Sequence, residues 1–426
     1  MRFLIVNHCY KQFLNWLYKT NPLLSQQTFA VQQAAYDATL FGSADFYRQA
    51  LQSLGHEVSE FCYNNVHAQL AWQREGVESA RTEEPVSETT GHRTSGHEAA
   101  GRETSWIGVQ SRAAKAWAIN HVAQVQVWRK ALGESPLGRI KPLLRPVLNM
   151  IDRTDGSLFR ILMEQVKTIR PDVLFNQSVF AFGDEQLRSL KAHVGLLVGE
   201  HAATGLPPSI DYRLYDLIVS SFPPTVSWLR QLGVRAELNR LAFDPRVAEL
   251  VPGVSRDVRV SFVGSLFEVH RSRLDMLSAV AETVPDIEVH GSVEIAIPPR
   301  SRLNGRIGPP LWGRDMYSLL ARSIATLNHH GDIAPHANNM RLYEATGMGC
   351  LLVTDHKDDL EEMFELEKEV VTYRNAEECV EKVRFYLAER NQAVREGIMA
   401  AGRRRTLRDH TYRARMQRLV ELISAA

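Results

Sequence analysis

Short runs rich in Phe, Leu, Ile and Val alternate with longer stretches of helical patterning, and the alternation occurs in two series. This limits the fold more than any other feature, because strand, helix and strand in that order imply a parallel sheet. In the first series, residues 2–6 read as a buried strand, helical patterning runs over about 25–54, and 56–63 read as a second strand. After Arg170-Pro171 the pattern resumes with a strand at 172–176, a helix at 184–192, strands at 194–199 and 216–221, and a helix at about 224–232. Residues 235–243 close this half, and a linker follows near 245–255. The second series has strands at 258–263, 286–290, 324–328 and 350–354, with helices at 271–283, 315–321 and 340–348 between them. The chain finishes in helices over about 376–423. A doubly wound α/β pattern occurring twice places ligands beyond the carboxyl ends of the strands, and two such domains facing each other make a cleft.

Length agrees with this division. Single hydrophobic cores stop growing near ~250–300 residues, and this chain has 426. A hydrophobic fraction of 44% supplies a large core without disulfides. The formal net charge of +1 gives no whole-chain attraction to nucleic acid or membrane. Cys9, Cys62, Cys350 and Cys379 form no CxxC pair, so they read as reduced thiols of a cytoplasmic protein rather than a disulfide or zinc framework. The apolar run at the N-terminus is too short for a signal peptide, and no run approaches the ~20 residues that span a bilayer. Peripheral association with the inner face of a membrane stays compatible with the sequence, and oligomeric state is not readable from it. From about 76 to 105 the chain is rich in Glu, Ser, Thr and Gly and poor in large apolar residues, which reads as a mobile insertion. A helical segment over about 106–132 carries Trp106, Trp117 and Trp128, the last two close to three helical turns apart. The basic run from Arg403 to His410 lacks interleaved aromatics and reads as a solvated helix face, so no nucleic-acid partner is expected.

Three constellations can carry chemistry. The first is NNMRLYEATGMGCLLVTD, from Asn338 to Asp355. Asn338 and Asn339 can cap the following helix and leave its first amides for an anion. Asn339, Met340 and Arg341 form that helix start, and Arg341 shares a face with Glu344. Gly347 and Gly349 end the helix before the next strand. The second is SFVGSLFEVHRSRLDML, in which a buried strand ends at Gly264 and Arg271 and Arg273 open the next helix. The third is VGEHAATGLPP, where Glu200 and His201 follow a buried strand. His201 there can take a proton from a hydroxyl, and Glu200 can be that base or orient His201. Asn7, His8, Asn176 and Gln177 reach the same region by topology.

The first constellation resembles the donor-binding segment of GT-B glycosyltransferases of the group 1 type, and looks closest to the spore-maturation glycosyltransferase-like subset. Asn339, Arg341, Tyr343, Glu344, Ala345 and Gly349 carry an N-x-R-x-[YF]-E-A-x-x-x-G core, and the similarity covers roughly residue 258 to the end. The resemblance implies two Rossmann-like domains facing across a cleft. Residues 1–245 are then the acceptor side, 246–405 the nucleotide-sugar donor domain, and 406–426 a C-terminal helix packing back toward the N-terminal domain. It implies that Glu344 holds the donor ribose, as the second glutamate of an E-x7-E motif whose first position here is His336. With His336 in that place, retention or inversion at the sugar is not decided. It also implies that Gly264 and an arginine, Arg271 in preference to Arg273, lie against the diphosphate. Gly308 to Trp312 would face the base, with Trp312 or Tyr317 available to stack.

No DxD pair follows an early strand, and Asp358-Asp359 reads as a surface turn, so neither a metal nor another cofactor is expected. The partners implied are a nucleoside-diphosphate sugar as donor and a glycan or other hydroxyl acceptor, in cell-surface polysaccharide or glycoconjugate synthesis. A non-catalytic binding or assembly protein on the same scaffold, or a sugar-nucleotide epimerase, are the alternatives. A nicotinamide-dependent enzyme is disfavoured because no GxGxxG follows a first strand.

Overall fold

A computed structural model describes residues 1–83, 156–202, 205–251, 255–267, 271–330 and 335–425. The expected insertion lies outside the described residues from 84 onward, as does the expected tryptophan-bearing helix at 106–132. The chain divides into two compact units. One comprises Met1–His8, Ala34–Phe61 and Arg170–Ala426, and the other Cys9–Gln33 and Cys62–Ile169.

The larger unit holds two sheets. The strands of the first are β1 (Arg2–Asn7), β2 (Glu57–Cys62), β3 (Val173–Asn176), β4 (Leu196–His201), β5 (Leu217–Ser220) and β6 (Ala236–Leu238), in the order β2-β1-β3-β4-β5-β6. The second contains β7 (Val258–Val263), β8 (Glu288–His290), β9 (Ser323–Asn328), β10 (Leu351–Asp355) and β11 (Val371–Tyr373), in the order β11-β10-β9-β7-β8. From β1 to β3 and on to β6 every neighbouring pair is parallel, as is every pair in the second sheet. Phe3, Leu4, Ile5 and Val6 of β1 are all buried, as are Leu351, Leu352 and Val353 of β10. Unbroken apolar runs of this kind are what a parallel sheet covered on both faces requires. Strand order reverses between β1 and β3 in one sheet and between β7 and β9 in the other. Two doubly wound α/β sheets are therefore present, as the sequence pattern indicates.

The structure corrects details of that reading. The helical patterning at 25–54 is not one helix but Phe29–Asp37 and Phe46–Ser53, with a single 3-10 turn at Leu24–Gln26. Between them Leu40, Gly42 and Ala44 all have positive φ, which a continuing helix cannot accommodate. The linker near 245–255 contains the short helix Arg246–Leu250. Its Arg246 bridges Asp244 at 2.6 Å and Asp45 at 3.0 Å. Helix Lys11–Thr20 and strand β11 had no clear signal in the sequence. The helix Tyr412–Ser424, capped by Thr411, lies on helix Phe46–Ser53. Tyr412 meets the Phe46 and Tyr47 rings at 5.2 and 4.9 Å, and Arg413 Nη1 donates to the Ser53 carbonyl at 3.0 Å.

The smaller unit is helical where it is described. The Tyr18 hydroxyl of helix Lys11–Thr20 donates to Gln32 Oε1 at 2.7 Å and to Asn65 Oδ1 at 2.8 Å. Gln69 accepts from Gln165 at 2.8 Å. It lies on helix Val66–Glu83, whose span makes residues 76–83 helical rather than loop. Among the described residues, no helix is long and apolar enough to cross a membrane.

One buried carboxyl of the larger unit gives a stability prediction. Glu60, on β2, accepts from Asn7 Nδ2 at 3.1 Å and lies 3.5 Å from Arg48 Nε. Burial, with Asp37 adding to it and Arg48 opposing, pushes its pKa from 4.5 to about 8. The folded state then holds a proton that the unfolded chain releases, so stability falls as pH rises through this window. Glu60→Gln removes that contribution. Melting temperatures measured from pH 5 to 8 are expected to decline less in the variant than in the parent, and equal declines would contradict the assignment.

Candidate active site

The order reversal between β7 and β9 opens a crevice at the carboxyl ends of these two strands, where ligands of doubly wound sheets bind. The buried guanidinium of Arg273 holds both strand ends. Its Nη1 donates to the Ser265 carbonyl and its Nη2 to the His329 carbonyl, each at 2.6 Å, and it lies over the Phe262 ring. Arg271 is instead exposed, at the first position of helix Arg271–Thr283. The two arginines read together in the sequence thus differ: Arg273 is internal, and Arg271 lies on the surface beside the crevice. Gly264 follows β7, and its N–H donates to the His290 carbonyl at 3.0 Å.

Every residue of helix Arg341–Gly347 is buried. Its first amides are not left for an anion as the sequence suggests. The Asn339 Oδ1 accepts from Arg341 N, the Asn339 carbonyl from Leu342 N, and the Met340 carbonyl from Tyr343 N and Glu344 N. Asn338 does not cap this helix, because its Nδ2 donates to the Ala202 carbonyl at 2.6 Å, just past β4. Arg341 turns inward. It pairs with Glu344 at 2.8 Å, reaches the Val263 carbonyl at 3.3 Å, and touches Met316 Sδ at 3.1 Å. The Tyr317 hydroxyl points to Glu344 Oε1 at 3.4 Å. Glu344 is therefore a carboxylate held from two sides beneath the end of β7, and Arg341 acts on Glu344 rather than outward on a phosphate. Tyr317 is fully buried, and Trp312 meets Phe41 edge-on at 4.8 Å. Of the two glycines here, Gly349 has φ +68°, which the turn into β10 requires, whereas a Cβ on Gly347 would meet the Phe243 ring at 2.5 Å.

Asp359 is buried rather than on a surface turn. It accepts from the Ala337 N–H at 2.6 Å and from Arg240 Nη1 at 2.9 Å. Burial raises its pKa, but these donors outweigh that and hold it below the usual carboxylate range. Asp359 thereby fixes the segment just ahead of Asn339. His336 stands 3.5 Å from it through Nδ1 and meets the Phe222 ring edge-on at 5.9 Å.

At the first sheet, Glu200 and His201 are consecutive residues of β4, so their side chains leave opposite faces. Glu200 accepts from the Tyr47 hydroxyl at 2.9 Å. Burial raises its pKa to about 7 against the lowering effect of hydrogen bonds from Tyr47 and Gln177. His201 is buried and meets the Phe180 ring edge-on at 5.7 Å. The sequence reading in which Glu200 orients His201 is thus replaced by two separate environments.

Sequence reasoning missed the cluster past β9. His329 contacts the Ser272 hydroxyl through Nε2 at 2.8 Å and the Tyr373 hydroxyl through Nδ1 at 3.1 Å. Asp355, at the end of β10, lies beside His329, His330 and Lys357. The signal available was the doubled histidine directly after a buried strand. Among the described residues, no group of three His, Cys, Asp or Glu is arranged to hold a metal ion.

The fold resembles that of a glycosyltransferase from Rickettsia africae, at 10% identity, with a TM-score of 0.54 over 100% of this chain and 98% of that one. HepE from Anabaena, solved with UDP, aligns at 13% identity over 63% of this chain and 82% of that chain, with a TM-score of 0.47. No curated protein matches the sequence significantly. The architecture is α/β of the GT-B type. Residues 271–421 match the family described as glycosyl transferase-like.

The contrast between the two arginines is measurable. Arg273→Met removes two charged hydrogen bonds from part-buried carbonyls and is expected to cost about 2–4 kcal/mol. Arg271→Met, at the surface, should stay within about 0.5 kcal/mol. Urea unfolding of both variants tests this, and similar losses would refute it.

Proposed function

We propose that this protein transfers a sugar from a nucleoside-diphosphate sugar to a hydroxyl acceptor, with the donor in the crevice between the ends of β7 and β9. The observation that carries this reading is the Glu344 carboxylate braced by Arg341 and Tyr317, with Arg271 exposed at the first position of its helix, both within the segment that matches glycosyltransferases. An arginine fork can bond two diphosphate oxygens, and a fixed carboxylate can accept two ribose hydroxyls. In the transfer, the acceptor oxygen attacks the anomeric carbon as its proton passes to a base. The bond from that carbon to the diphosphate oxygen breaks, and its electron pair leaves on the nucleoside diphosphate, whose charge Arg271 offsets. Glu200 is the better base, since a carboxyl with a pKa of about 7 accepts a proton near neutrality. No metal or cofactor takes part in this scheme. The core from Asn339 to Gly349 supports placement in the spore-maturation-like subset and a role in cell-surface polysaccharide or glycoconjugate synthesis. The enzyme would work in the cytoplasm, at or near the inner face of the membrane.

Isothermal titration with a panel of nucleoside diphosphates tests the donor site. Arg271→Ala and Glu344→Gln should each weaken binding tenfold or more, and parent-like binding by both would sink the assignment. For the base, the rising limb of kcat with pH should sit near 7, and Glu200→Gln should abolish that limb together with most of the rate. A parent-like profile in the variant would remove Glu200 from the mechanism.

A further inference from the structure

His330 differs from His329 in what its ring nitrogens meet. Both nitrogens of His329 are engaged, one by Ser272 and one by Tyr373. The His330 side chain is 4% exposed, and its Nδ1 lies 2.6 Å from Asp355 Oδ1. The same oxygen accepts the His330 backbone N–H at 2.9 Å. The Nε2 of His330 is buried and has no hydrogen-bonding partner among the described residues. An unpaired buried polar atom costs free energy, and native structures retain few of them. This one sits one residue past Asn328–His329 at the end of β9, a strand that borders the order reversal.

From these contacts we infer that His330 is a donor-binding residue that accepts a hydrogen bond from a hydroxyl of the donor sugar through Nε2, and that Asp355 is its positioning residue. The inference rests on the donor site proposed above. Asp355 selects the tautomer. It is ionised, because the hydrogen bonds it accepts from the His330 ring and backbone N–H, together with the nearby His329, outweigh burial and bring its pKa to about 2. An ionised carboxylate at hydrogen-bond distance keeps the proton on Nδ1, which leaves a lone pair on Nε2. A diphosphate offers only acceptors and is repelled by the adjacent carboxylate, whereas a sugar hydroxyl offers the donor that Nε2 lacks. Asp355 is itself held in place by Lys357 Nζ at 3.4 Å and by the Thr354 hydroxyl at 3.4 Å. His330 thus reads the sugar, while Arg271 and Glu344 hold the nucleotide.

The discriminating quantity is the ratio of two dissociation constants, that of a nucleoside-diphosphate glucose over that of the matching free nucleoside diphosphate. Isothermal titration of the full-length parent with UDP, GDP, ADP and dTDP, and with their glucose esters, identifies the pair to use. His330→Ala should raise the ratio tenfold or more, with the free diphosphate bound as in the parent. His330→Gln, which keeps an acceptor near the Nε2 position, should recover part of the loss. Asp355→Asn should shift the ratio in the same direction, and a purely structural role for Asp355 would weaken both ligands equally. An unchanged ratio in His330→Ala, or an equal loss of ester and free diphosphate, overturns the inference while leaving the donor site standing. Failure of the parent to bind any of the nucleotides would instead overturn the donor site, and this inference with it.

Discussion

One buried cation, the guanidinium of Arg273, sets the geometry at the end of the second sheet. Parallel strands on either side of an order reversal have no crossover between them to fix how their last residues diverge. Arg273 supplies that constraint by binding a carbonyl just past β7 and another just past β9. With those two points fixed, His329 can span from Ser272 to Tyr373, and the next residue falls beside Asp355. A lysine could not do this equally well, since the planar fork meets two carbonyls at once in a fixed direction.

The carboxylates around the two sheets are pushed to different states by their surroundings. Asp355 is surrounded by donors and stays ionised far below neutrality, Asp359 is held low by Arg240 and a backbone amide, and Glu200 is shielded from water and titrates near pH 7. Divergence of this kind is how one fold assigns holding and proton-accepting tasks to chemically identical groups. Glu344 is restrained by another route, through a neighbour three residues away on its own helix and through Tyr317.

The strands and their grouping into two series were legible because they depend on local pattern. Phe3 to Val6 and Leu351 to Val353 announce buried parallel strands by composition alone. What stayed hidden depends on pairing across the sheet. His330 and Asp355 are 25 residues apart, and only the parallel pairing of β9 with β10 brings them together. Asp359 looks like a turn residue until Arg240, 119 residues earlier, is seen against it. Arg271 and Arg273 open the same helix, and the direction of each side chain from it puts one on the surface and the other inside. The break between the helices ending at Asp37 and beginning at Phe46 was signalled by Gly42, but its neighbours Leu40 and Ala44 have positive φ with no compositional cue.

The helix Tyr412–Ser424 lies on Phe46–Ser53, and the Arg413–Ser53 contact closes a separation of 360 residues. On a ribosome, the first sheet would emerge long before this cover is made. Until then the Phe46 and Tyr47 rings lack the Tyr412 ring that packs on them in the finished protein. Contacts of such long range form late and slowly. The larger unit is thus completed only once residues 412–424 have been made, and a nascent chain stalled before residue 412 would expose an aromatic surface to chaperones and proteases.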